Sequence, residues 1–169
     1  RGRWGDSRTL SAVVYVGETK AEAEAKFNRM SELVPEALGL VMLGDLLGEI
    51  DLTKFPIDGP LPDDLPEARG SKSRREVIRD MARRENLTIR QLYKRVAGAS
   101  GHGTIKGTPC DIADHFEEWL NEGAADGFIL LPPTNPSSLN DFFDEVVPEL
   151  QRRGLMQTQY TGTTFREGL

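Results

Sequence analysis

The chain reads as an α/β protein built on parallel strands, and three observations say so. Thr9–Val16 is rich in β-branched residues and runs through Gly17 into a capped helix, one complete strand–helix unit. Further on, Thr108 to Gly123 carries the marks of a helix. Phe128–Leu131 then follows as a continuous apolar run, which predicts a strand covered on both faces. Another helix comes straight after it, and this alternation of helix and strand is the rhythm of a parallel sheet.

In chain order, Arg1–Arg8 is a basic leader with no regular pattern. After the Thr9–Val16 strand, Thr19-Lys-Ala-Glu22 is a capping box, and Ala21, Ala25, Met30 and Leu33 are expected to face a sheet. The alternation then stops between Pro35 and about Leu92. Ala37–Leu47 is apolar enough for a buried helix. Phe55–Pro66 is too rich in proline to be helical and should lie extended along a surface. Ser73–Glu85 is a charged helix and Thr88–Val96 a shorter one.

Gly101 to Pro109 reads as a glycine-rich loop. Thr108 is placed to cap the next helix, with Pro109 at its first position and Asp111 three residues after the cap. Ile112, Phe116, Trp119 and Leu120 form its apolar stripe, while Asp114, Glu117, Glu118 and Asn121 face water, and Gly123 ends it. Ser138-Leu-Asn-Asp141 is a further cap signature. Pro148 should bend the helix that follows, and Gly154 should stop it. The tail 155–169 needs Tyr160 and Phe165 to dock if it is to be ordered.

Composition narrows the function classes. At 169 residues with 38% hydrophobic content the chain can bury a respectable core. No apolar run approaches the ~20 residues of a membrane span. A single cysteine forbids an internal disulfide and fits a reducing, cytoplasmic setting. The net charge of −6 argues against a protein that coats nucleic acid, and two histidines with one cysteine give no metal-site spacing.

Several separated motifs carry a resemblance. They are Val16-Gly-Glu-Thr-Lys-Ala-Glu-Ala23, Asp58-Gly-Pro-Leu-Pro62, Glu85-Asn-Leu-Thr-Ile-Arg-Gln-Leu92, Gly101-His102 and Gly107-Thr-Pro109. Downstream stand Ile112-Ala-Asp114, Gly123-Ala-Ala-Asp-Gly-Phe128, Pro132-Pro133, Val146–Leu155 and Thr164-Phe-Arg-Glu167. In their order and spacing they resemble the C-terminal third of the flavin-dependent monooxygenases of the bacterial luciferase-like family, of the nitrilotriacetate monooxygenase component A type. Phe165 stands where that family usually has Leu.

The resemblance implies the C-terminal part of a (β/α)8 barrel. Residues 1–34 would be the seventh βα unit, 35–100 a helical and proline-rich insertion, 101–154 the loop, helix, eighth strand and last helix, and 155–169 a tail. Two strands cannot close a barrel, so the remainder of the barrel or another subunit must cover them. The implied activity is oxygenation of a small organic or xenobiotic substrate with O2 and reduced FMN. A separate NADH-dependent flavin reductase would deliver the flavin to a homo-oligomeric enzyme that needs neither metal nor membrane.

On the rule that barrel sites lie at the carboxyl ends of strands, Gly101, His102 and Gly103 are the candidate cofactor contacts, and Pro132 and Pro133 the candidate walls of a substrate pocket. Each has a plainer reading. His102 could make a structural hydrogen bond, and the two prolines could simply stop the strand. Gly107-Thr-Pro109 could offer helix amides to an anion or be an ordinary cap. Cys110 falls in a first helical turn without a base in any matching motif.

The rival class is a nucleic-acid binder using residues 71–95. There Lys72, Arg74, Arg75, Arg79, Arg83, Arg84, Arg90, Lys94 and Arg95 face only Glu76, Asp80 and Glu85. The same basic insertion could instead attract an anionic substrate or partner. A third possibility is a non-catalytic fragment.

Overall fold

The computed structural model describes residues 8–65, 72–98, 103–159 and 162–164. In chain order the elements are β1 (Thr9–Val16), α1 (Lys20–Glu32), α2 (Glu36–Leu46), α3 (Lys72–Arg84), α4 (Ile89–Gly98) and β2 (Gly103–Gly107). They continue with α5 (Pro109–Asn121), β3 (Gly127–Leu131), α6 (Ser137–Asp141) and α7 (Val147–Arg152). The chain forms two compact units, one of Arg1–Lys26 with Gly103–Leu169, the other of Phe27–His102.

The first unit is organised by a parallel three-stranded sheet in the order β2-β1-β3. Its central strand is the first in sequence. Val13 pairs with Leu131 and Ser11 with Ile129, so the two expected strands are parallel neighbours. The third strand corrects the reading of Gly101–Pro109 as a loop: Gly103–Gly107 is strand, with Thr104 against Val13 and Ile105 against Val14. Two β-branched residues between glycines were too short a run to register as a strand. Arg8 and Asp126 close the start of the sheet, the Arg8 N–H donating to the Asp126 carboxylate (2.7 Å) and the Asp126 N–H to the Arg8 carbonyl (2.8 Å).

One face of the sheet builds the core of this unit. Ala12, Val14 and Val16 pack with Ile112, Ala113 and Phe116 of α5, and with Phe142, Val146 and Leu150 of the C-terminal helix. Phe116 stacks on Phe128 with ring centroids 4.2 Å apart. The other face is covered unevenly. Val13 and Tyr15 are buried, whereas Ile129 is 51% exposed, so β3 is not shielded on both sides as its apolar run suggested. An edge strand of a three-stranded sheet has a neighbour on one side only, and no layer reaches Ile129.

The last helix is interrupted where Pro148 requires it. Phe142–Val146 is a π-helical turn between α6 and α7. Proline has no N–H to donate and its ring crowds the carbonyl four residues earlier, so the ladder widens there. The cap is not the expected one. Ser138 lies inside α6, and the Thr134 hydroxyl accepts its N–H (3.3 Å) while Ser138 Oγ donates back to the Thr134 carbonyl. Gly123 (φ +64°) and Gly154 (φ +74°) end their helices in the left-handed region that favours glycine.

The second unit is a helical core. Leu40 and Leu43 of α2, with Leu47 at its C-cap, pack with Ile78 and Ala82 of α3 and with Ile89, Leu92, Tyr93 and Val96 of α4. α4 starts on a box absent from the sequence reading: Thr88 Oγ1 accepts from the Gln91 N–H (3.2 Å), and Gln91 Oε1 accepts from the Thr88 N–H (2.9 Å). The proline-rich segment lies against the start of α4, where the Ile89 and Arg90 N–H groups donate to the Gly59 and Ile57 carbonyls (2.9 and 2.8 Å). α2 is not wholly buried, since Leu38 and Val41 are exposed. In α1 the buried residues are Ala23, Phe27 and Ser31 in place of the expected Ala21, Ala25 and Met30, and Leu33, just beyond the helix, is exposed. Tyr160 and Phe165 lie outside the described residues.

Candidate functional site

The carboxyl edge of the sheet gathers the starts of two helices. β1 ends at Val16 and β2 at Gly107, and the Gly17 N–H donates to the Gly107 carbonyl (3.1 Å) just beyond the last paired residues. Both strand-to-helix turns are tight. A Cβ on Gly17 would meet the Ala23 nitrogen at 2.6 Å, and one on Gly107 would meet the Asp111 Cβ at 2.8 Å. Only glycine lets each helix begin so close to its strand.

Each helix start is already capped. Thr19 Oγ1 accepts from the Glu22 N–H (3.2 Å), while the Glu22 carboxylate accepts from the Glu18 N–H (2.9 Å) rather than from Thr19, one residue off the ideal box. At α5 the reciprocal box is complete: Thr108 Oγ1 accepts from the Asp111 N–H (3.3 Å), and Asp111 accepts from the Thr108 N–H (3.1 Å) and hydroxyl (2.7 Å). Lys20 then pairs with Asp111 across the two helix starts at 3.0 Å. The Thr108 hydroxyl, Lys20 and the Thr108 N–H hold the Asp111 carboxyl down at about 2.

That depression makes a prediction. The folded value lies below the ordinary 3.8, so the stabilisation from charged Asp111 is complete above 3.8 and is lost as pH falls from there towards 2. Glu149 behaves alike: Arg152 and Arg153 hold it at about 2 against an ordinary 4.5. Asp111→Asn should flatten the acid limb of the stability curve in that window, measured by urea unfolding over a pH series. An unchanged acid limb would show that the box does not carry it.

A second link at this edge had no sequence signal beyond its spacing to Glu22. Lys26 donates to the Val16 carbonyl at the end of β1 (2.8 Å) and to Asp141 of α6 (3.0 Å), and pairs with Glu22 (3.4 Å). Partial burial pulls the ammonium down, but Asp141 and then Glu22 outweigh it and hold Lys26 above the ordinary lysine value. Arg153 was missed too. It joins α7 to α5 through Glu149 (2.7 Å), Asp114 (2.6 Å) and Glu117 (2.8 Å). Glu117 is therefore half-buried rather than turned to water.

Of the expected site residues, Gly101 and His102 lie outside the described residues. Gly103 opens β2, which corrects its expected place: it lies at the amino end of a parallel strand and not at the carboxyl end where a barrel site belongs. It is exposed, and a Cβ there would find only the Ser11 carbonyl, at 4.0 Å. Pro132 and Pro133 follow β3 directly and are half-buried, leading to the hydroxyl cluster of Thr134, Ser137 and Ser138. Cys110 is exposed, and His115 sits 4.9 Å from the Trp119 ring. Among the described residues no group of three or more His, Cys, Asp or Glu side chains is placed to hold a metal, and no helix is long and apolar enough to cross a membrane.

No family model matches the chain. Whole-sequence comparison does find relatives. The chain is 66% identical over 157 residues to nitrilotriacetate monooxygenase component A of Aminobacter aminovorans, covering 93% of this chain and 35% of that protein. It is 44% identical over 153 residues to N-acetyl-S-(2-succino)cysteine monooxygenase of Bacillus subtilis (strain 168), covering 90% and 35%. The fold matches the crystal structure of DmoA from Hyphomicrobium sulfonivorans with a TM-score of 0.77 at 28% identity, over 95% of this chain and 33% of that one. The chain thus spans about a third of the length of the relatives it matches. Taken with the parallel α/β sheet, these likenesses show that the chain belongs to the luciferase-like monooxygenase family, of the nitrilotriacetate monooxygenase component A type.

Proposed function

We propose that the chain is the C-terminal portion of a two-component, FMN-dependent monooxygenase that oxygenates a small organic substrate. The observation that carries the reading is the parallel pairing of β1 with β3 inside a sequence 66% identical to a component A protein. Were those two strands the seventh and eighth of a (β/α)8 barrel, β2, which follows β1 in sequence, would take the place beside β1 that belongs to the sixth, a departure from barrel order. The exposed Ile129 would face the part of the cylinder that this chain does not supply. Reduced FMN, supplied by a partner flavin reductase, would furnish the reaction with O2.

The residues described at the carboxyl edge do not by themselves fit a flavin phosphate. The cap amides of α1 and α5 are taken by Glu22, Thr19, Thr108 and Asp111, and the acids place negative charge where a phosphate would sit. Gly103 stands at the amino end of β2 and not at a carboxyl end, so within this chain the proposal keeps no cofactor contact at Gly101, His102 or Gly103 and limits substrate contact to Pro132 and Pro133. Everything else must come from the rest of the barrel.

The test is complementation. Mixed with a folded segment supplying the other strands, the chain should restore FMN binding, read as a rise in flavin fluorescence anisotropy, while either part alone should not. A soluble complex that leaves flavin free would refute the barrel reading.

The nucleic-acid reading loses support because, among the described residues, five of its nine cations make hydrogen bonds within the second unit. Arg75 donates to the Leu65 carbonyl, Arg79 and Arg83 to Asp63, and Arg90 to Asp58 and Glu36, while Arg95 pairs with Glu85.

A further inference from the structure

The second unit holds a groove that the oxygenase reading does not use. It has a volume of about 270 Å³ and runs between Pro60–Asp63 and the corner joining α3 to α4. Leu61, Ala82 and Leu87 supply apolar wall, and Arg79 and Arg83, one turn apart on α3, line it with Asp63.

The charges there are unequal. Arg79 donates to the Asp63 backbone carbonyl (2.8 Å), so its own charge is not met by that carboxylate. Arg83 donates to Asp63 through both Nε (3.1 Å) and Nη2 (2.7 Å), yet both bonds fall on one oxygen, Oδ1, and the Asp63 side chain is 82% exposed. A guanidinium fork is matched best by two oxygens side by side, and an exposed ion pair holds its partner weakly.

We propose that this groove is a binding site for a small organic carboxylate with a short apolar body, and that the Asp63 carboxylate occupies the ligand's place until displaced. The ligand's two oxygens would take the Arg83 fork, the Arg79 charge would lie alongside, and its carbon chain would cover Leu61, Ala82 and Leu87. The volume lies just below the ~300 Å³ at which ligand pockets usually begin, which suits a short acid. The site belongs to the second unit alone, so it stands or falls independently of flavin binding.

Butyrate is a suitable probe, titrated into the isotopically labelled full chain and followed through the Arg79 and Arg83 Nε–H signals and the Leu61 and Leu87 methyls. Saturable millimolar shifts are expected with butyrate, and none with butylammonium or with chloride at equal ionic strength. Asp63→Asn removes the internal competitor and should tighten butyrate several-fold. Arg83→Lys keeps the charge but loses the fork, and should weaken it about tenfold. If chloride reproduces the shifts, if butyrate does not saturate, or if Arg83→Lys binds as tightly as the parent, the proposal fails. Unchanged or weaker affinity in Asp63→Asn, with unliganded methyl signals like the parent's, overturns it equally; if those signals move, Arg83→Lys decides.

Discussion

Phe116→Ala should destabilise the chain by about 3–5 kcal/mol, among the largest effects a single core truncation produces. Phe116 is 3% exposed and holds together the parts of the first unit that are farthest apart in sequence. Its ring stacks on Phe128 of β3 at 4.2 Å and tilts against Phe142 at 6.3 Å, within a core that also contains Val14 of β1. Removing the ring leaves a cavity bordered by a strand, a helix and a π-turn, none of which can close it without breaking backbone hydrogen bonds. Total stability of a domain is only ~5–15 kcal/mol, so the variant should lie near the folding threshold. Urea unfolding followed by the fluorescence of Trp119, 6.4 Å from Phe128, reads the effect directly. Phe116→Leu keeps most of the volume and should cost much less. A cost below ~1 kcal/mol for the alanine variant would mean that α5 does not anchor the sheet.

In the second unit, Gly39→Ala should destabilise although alanine is the better helix former. A Cβ at position 39 would lie 2.2 Å from Tyr93 Cδ2, 2.6 Å from Cε2 and 2.8 Å from Cγ, and Tyr93 is itself only 2% exposed. The helix-propensity gain is ~1 kcal/mol, whereas overpacking a tight contact costs ~1–3 kcal/mol and more when a ring cannot turn away. The clash wins. α2 and α4 are close because residue 39 has no side chain, and the Tyr93 ring fills that space. A double-mutant cycle isolates the contact: with Tyr93→Ala in place, Gly39→Ala should become neutral or mildly stabilising. If the penalty persists without the ring, it comes from elsewhere and the close approach of these helices is not the cause.

Much of the first unit was legible because its signals are local. The Thr108–Asp111 box, Pro109 at the first helical position, the Ile112 and Phe116 stripe and the stops at Gly123 and Gly154 depend on residues within a turn of each other. β1 appeared over the full span expected of it. The misses share a different cause. β2 offers two β-branched residues and becomes a strand only because β1 presents an open edge to it. Ser138 looks like a cap, yet it lies inside α6, whose N-cap Pro136 makes no side-chain bond, and the Thr134 hydroxyl accepts the Ser138 N–H from the turn before it. Ile129 belongs to an apolar run, but burial depends on what lies over the face, which no run of residues specifies.

Of the candidate site, spacing alone offered the glycines and prolines. The ionic links at the strand ends were invisible, since Lys26 meets Asp141 across more than a hundred residues and Arg153 reaches Asp114 and Glu117 from another helix.

By itself, then, the sequence determined the parallel α/β class, the caps and stops of the main helices and the family, because propensity, capping and motif order are written in neighbouring residues. Tertiary structure alone decided the strand order β2-β1-β3, the open flank at Ile129 and the convergence of Arg79 and Arg83 on Asp63, the first on its backbone carbonyl and the second on its exposed carboxylate. Those outcomes depend on which distant surfaces meet, and a linear pattern does not encode that meeting.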